Sequence, residues 1–71
     1  MKNKRRISII AINLKRLKRE KGLSQSDLCK ETALAYHTIA KIETGATSDP
    51  RISTLKKLAK ALDVPLNSLV E

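Results

Sequence analysis

The stretch from Leu23 to Gly45, LSQSDLCKETALAYHTIAKIETG, constrains this chain more than any other. It reads as two short helices joined by a tight turn, the second ending at a glycine. Ser24 and Asp27 stand at the spacing where a serine hydroxyl caps the third helical N–H and the carboxylate reaches back to the serine N–H. Leu23 and Leu28 flank that start at the separation of a hydrophobic staple. A second start falls at Ala35, with Leu34 and Ile39 again at staple spacing, but alanine has no side-chain oxygen to cap with. The first N–H groups of that helix are left for water or a ligand. Leu28, Leu34, Ile39 and Ile42 supply apolar faces for packing on a third helix, while Tyr36, His37, Thr38, Lys41 and Thr44 fall on the outward side. Such a face of hydroxyls, an imidazole and an ammonium has the donors to meet base edges and phosphates.

The rest of the chain supplies a scaffold for this pair. From about Ser8 to Lys21 the pattern is helical, with Ile10, Leu14 and Leu17 recurring at four and three, and Gly22 stops it. The paired helices are expected at about 25–32 and 36–44. Ala46 to Arg51 reads as a loop, its Asp49-Pro50 pair suiting a turn. Ile52, Leu55, Leu58, Ala59 and Leu62 then mark a fourth helix, and Leu66 to Val70 is long enough for a last short one. The expected fold is all-α, a compact bundle of five short helices around one core.

With 71 residues there is room for one domain, taken as residues 8–71 behind a basic arm at 1–7. Tyr36 is the single aromatic, so the core must be aliphatic, and that ring stands at the start of a helix rather than among the leucines. The net charge of +8 is unevenly placed: residues 1–22 hold nine Lys or Arg against Glu20 alone, and the remainder holds six of each sign. Lys2, Lys4, Arg5 and Arg6 make an arm suited to a polyanion, nucleic acid before an anionic membrane. Cys29 has no pairing partner and reads as a buried small hydrophobe, which points to a cytoplasmic protein. No apolar run reaches the length of a membrane span. One His, one Cys, no metal-ligand spacing and no phosphate-cradling glycine loop argue against an enzyme, a metal or a cofactor.

Leu-Ser-Gln, Leu28, Ile39, Ile42-Glu43 and Gly45, followed by Leu55, Leu58-Ala59 and Ala61-Leu62, resemble the lambdoid phage repressor and Cro family of helix-turn-helix proteins. The resemblance runs from about Leu14 to Leu69 without insertion. Three positions depart from it, one of them Ala46, which offers no side-chain donor at a place where the family can carry one. Ala33 stands where the family usually has glycine in the turn, and Ala35 where it usually has a Ser or Thr cap. The resemblance implies a lambda-repressor-like DNA-binding domain whose recognition helix, residues 36–44, enters the major groove.

On that reading Tyr36, His37 and Lys41 contact bases, while Ser24, Gln25, Thr38, Thr44, Ser48 and Arg51 contact phosphates. Glu43 faces away from the groove and is expected to pair with Lys18. Leu66, Leu69 and Val70 are the expected contacts of a weak homodimer. The expected function is that of a sequence-specific double-stranded DNA-binding transcriptional regulator, a repressor, with no small-molecule ligand. An antitoxin or a restriction-modification controller keeps the same fold. A basic protein-interaction module is the alternative of a different class.

Overall fold

A computed structural model describes residues 8–47 and 50–71. The expected arm residues Lys2, Lys4, Arg5 and Arg6, and the expected phosphate contact Ser48, lie outside the described residues. Five helices follow in order: α1 Ile9–Glu20, α2 Gln25–Thr32, α3 Tyr36–Thr44, α4 Ile52–Leu62 and α5 Asn67–Val70. Among the described residues there is no strand, and no helix is long and apolar enough to cross a membrane.

Several helix boundaries have a local cause. Ser8 caps α1, its hydroxyl accepting from the Ala11 N–H at 3.2 Å. At the other end the Leu23 N–H donates to the Lys18 carbonyl and the Gly22 N–H to that of Arg19, a Schellman closure that needs the left-handed φ of +69° at Gly22. The α2 start is the full capping box. The Asp27 N–H donates to the Ser24 hydroxyl at 3.1 Å, and the Ser24 N–H donates to the Asp27 carboxylate at 2.9 Å. The α4 end repeats the Schellman pattern, with Asp63 in the left-handed region at φ 59°.

The α2–α3 turn is closed without glycine. Ala33 takes φ 60° and ψ 20°, a conformation that disfavours any Cβ, and donates its N–H to the Cys29 carbonyl. Thr32 completes the turn from inside. Its hydroxyl donates to the Leu28 carbonyl at 2.6 Å and accepts from the Leu34 N–H at 3.2 Å, so this buried polar side chain is satisfied.

Leu14, Leu17, Leu28, Ile39, Ile42, Leu55, Leu58, Ala59, Leu62 and Leu69 form one aliphatic core, with Cys29 packed at its edge. α1 lies against α3 and α5, and α2 against α3 and α4. The structure corrects one sequence expectation here. Leu69 is fully buried in its own chain's core, so it cannot meet a second copy, whereas Leu66 is half-buried and Val70 exposed. Asn13 explains the placement: its Nδ2 donates to the Leu69 carbonyl at 2.7 Å and draws α5 down onto α1.

Candidate nucleic-acid interface

The α3 helix is divided by its own periodicity into two faces. Ile39, Ile42 and Glu43 are buried, and Tyr36, His37, Lys41 and Thr44 are exposed. Tyr36 keeps 60% of its surface exposed, a large aromatic area outside the core. The Ala35 start has no side-chain cap, as its sequence requires, and the Thr38 and Ile39 N–H groups both turn back to the Ala35 carbonyl. The backbone N–H groups of the first turn therefore accompany Tyr36 and His37 at the outer end of the helix.

Behind this face lies a polar junction that fixes how α3 sits. Glu43 is 7% exposed, and its Oε1 accepts from Gln25 Nε2 at 2.8 Å. The Lys18 ammonium stands 2.8 Å from Oε2, outside that oxygen's hydrogen-bonding geometry, so the contact is ionic. The expected Lys18–Glu43 pair is thus present and joins α1 to α3, while Gln25 adds the start of α2. An amide nitrogen carries two hydrogens, so Gln25 retains one donor for a phosphate.

His37, Thr38 and Lys41 form one wall of a notch of about 340 Å³ whose other wall is Thr47, Pro50, Arg51 and Thr54, with Ile42 at its base. Three basic side chains and three hydroxyls thus converge where α3 meets the start of α4. Arg51 is the residue preceding α4, whose start has neither a side-chain cap nor an acid in its first turn. No ion pair joins His37, Lys41 or Arg51 to a described acid. Among the described residues the lining of the notch includes no acid.

The expected phosphate contacts divide. Ser24 is exposed at the start of α2, where its hydroxyl accepts from the Asp27 N–H and is directed to the Asp27 carboxylate that it helps keep ionised. Thr38 and Arg51 line the notch. Thr44 is otherwise engaged: its hydroxyl donates to the Lys41 carbonyl at 3.2 Å and accepts from the Ala46 N–H at 3.4 Å, leaving no hydrogen for a phosphate oxygen in this conformation. Thr47 and Thr54 were missed from sequence. Thr47 is brought back by its N–H donating to the Lys41 carbonyl at 3.1 Å, a loop closure with no periodic signal.

A helix-turn-helix family model matches residues 14–69. The chain belongs to the helix-turn-helix family. Among curated proteins this helix-turn-helix chain is 37% identical over 57 residues to the uncharacterized HTH-type transcriptional regulator RghRB of Bacillus subtilis, covering 80% of the chain and 41% of that protein. It is 30% identical over 63 residues to the HTH-type transcriptional regulator SinR of the same organism, covering 89% of the chain and 57% of SinR. SinR of Bacillus licheniformis is 31% identical over 62 residues, covering 87% of the chain and 56% of that relative. The chain thus spans about half the length of the relatives it matches. No solved structure matches it.

Proposed function

We propose that the chain is a sequence-specific double-stranded DNA-binding transcriptional regulator, acting as a repressor, that reads an operator with α3 in the major groove. The observation that carries this reading is the exposed Tyr36–His37–Lys41 face, held outward by a helix whose opposite side is buried and pinned through Glu43. The names of the relatives as transcriptional regulators support it. Tyr36, His37 and Lys41 are assigned to base edges, with the Lys41 ammonium and a His37 nitrogen as donors to guanine O6 and N7. Arg51, Thr38, Ser24 and Gln25 are assigned to the flanking phosphates.

Binding as a two-fold dimer on a palindromic site belongs to the same proposal, with Leu66 and Val70 as the side chains on offer. Selection from a random double-stranded DNA pool tests it, followed by anisotropy on the selected consensus at two salt concentrations. A palindromic consensus at which His37→Ala and Lys41→Ala relax defined positions is the supporting result. Salt-sensitive binding without a consensus would leave only a basic protein on a polyanion.

A further inference from the structure

The outward side of α1 carries a second stripe that neither the core nor the α3 face uses. Ile9, Ile12, Arg16 and Arg19 follow one another at intervals of three, four and three, which places them along one side of the helix. Ile9 precedes Lys18 by about two and a half turns, so it lies on the far side of α1 from the ion pair with α3. Ile9 and Ile12 are 51% and 47% exposed, although the same helix buries Ala11, Leu14 and Leu17. Scattered surface hydrophobics need no explanation. These two are adjacent on one stripe, and exposed Val70 lies on α5, which Asn13 ties to α1 through the Leu69 carbonyl.

The stripe changes character along its length. Its second half is cationic, with Arg16 and Arg19 exposed and Lys15 and Lys21 beside them. Arg16 is engaged within α1, its Nη1 3.4 Å from Glu20, the single acid of the helix, and its Nη2 donating to Asn13 Oδ1 at 3.3 Å, whereas Arg19 is joined to no described acid. Two apolar side chains leading into a block of cations have a definite complement.

We propose that this face of α1 docks an acidic amphipathic segment of another protein, its apolar side chains over Ile9 and Ile12 and its carboxylates on Arg16 and Arg19. Charge complementarity selects that occupant. A second copy of this chain would bring Arg16 and Arg19 against like charge or against isoleucine. A DNA backbone has no use for the isoleucines, and two half-exposed apolar side chains are too few to hold a helix in a lipid interface. The proposal is independent of DNA reading, because the stripe and the α3 face lie on different helices.

The test uses the full chain and a synthetic peptide with leucines at alternating three- and four-residue spacing and glutamates between them. Binding is followed by fluorescence anisotropy, with a scrambled peptide of the same composition as control. The wild type is expected to prefer the amphipathic peptide, with Ile9→Ser/Ile12→Ser and Arg16→Gln/Arg19→Gln each weakening it about tenfold or more. Lys41→Ala should leave it unchanged, Arg19→Gln alone should weaken it without altering thermal unfolding, and the isoleucine variant should match wild type in thermal unfolding and in DNA binding. Equal binding of the scrambled peptide, indifference to the isoleucine variants, or loss of binding in Lys41→Ala would overturn the proposal. So would binding to phosphatidylserine vesicles through the same isoleucines, or their serving instead as a self-association surface in sedimentation.

Discussion

Gln25 Nε2 donates to Glu43 Oε1 at 2.8 Å, joining the first residue of α2 to the buried side of α3 across 18 positions of sequence. The same carboxylate holds Lys18 of α1 through its other oxygen. One side chain therefore sets the relative position of three helices, and the α3 face is presented at the angle this junction dictates. The arrangement is one of orientation more than of net stability, since the desolvation of a buried pair offsets much of its attraction.

Removing one partner is a different matter from removing both. Glu43→Ala leaves Lys18, whose side chain is 21% exposed, without its counter-charge, and should destabilise the domain by about 2 to 4 kcal/mol. Lys18→Met combined with Glu43→Leu should recover most of that loss. Urea unfolding of Lys18→Met, Glu43→Leu and the double variant measures the coupling, and additive losses would show that the pair is not a unit.

Ala33→Gly should stabilise the protein. Ala33 holds φ 60° with its side chain exposed, so the substitution relieves a Cβ penalty and removes little packing. A gain of about 1 kcal/mol, or about 4 to 8 °C in Tm for a domain of this size, is the expected outcome of a thermal scan. An unchanged or lowered Tm would mean that the added freedom of the unfolded chain outweighs the relief.

Acid should weaken the start of α2. The Asp27 carboxyl is held below the usual carboxylate range, first by the Ser24 backbone N–H and then by the Ser24 hydroxyl, with Lys30 adding to the effect. A carboxyl depressed on folding contributes stability that is present above its unfolded pKa and is lost as pH falls through the folded one. Stability of the wild type should therefore decline on acidification below about pH 4, and Asp27→Asn should decline less steeply over that window. Unfolding free energies from pH 2 to 7, taken at about half-unit steps, give the comparison.

The helix pattern was legible because its signals are local. Ser24–Asp27, Gly22 and Gly45 mark boundaries by chemistry within a few residues, and the structure has those boundaries. The Lys18–Glu43 pair followed from the family resemblance, with Glu43 read as facing the first helix. Asn13 and Leu69 were not legible. The repeat of leucines in the last segment says which residues are apolar but not which of them the core takes. That is settled by one amide reaching a carbonyl 56 residues away. Thr47 and Thr54 escaped notice for the same reason: a loop turning back onto α3 makes them neighbours of Lys41, and no spacing announces it.

The division of labour across the interface can be separated by salt. His37 and Lys41 are exposed on α3 at adjacent turns, where a base contact specifies sequence. Arg51 lies across the notch from them, just before the uncapped start of α4, where a phosphate oxygen would meet both the guanidinium and the helix end. On a selected operator, His37→Ala or Lys41→Ala should cost about 1 to 3 kcal/mol and relax preference at particular base pairs. Arg51→Ala should instead weaken selected and random DNA alike and lower the slope of log affinity against log salt by about one. Anisotropy titrations of the three variants on both DNAs, at several salt concentrations, distinguish the two behaviours. If Lys41→Ala behaves as Arg51→Ala does, its ammonium belongs to the phosphate side of the notch, and discrimination rests on Tyr36 and His37.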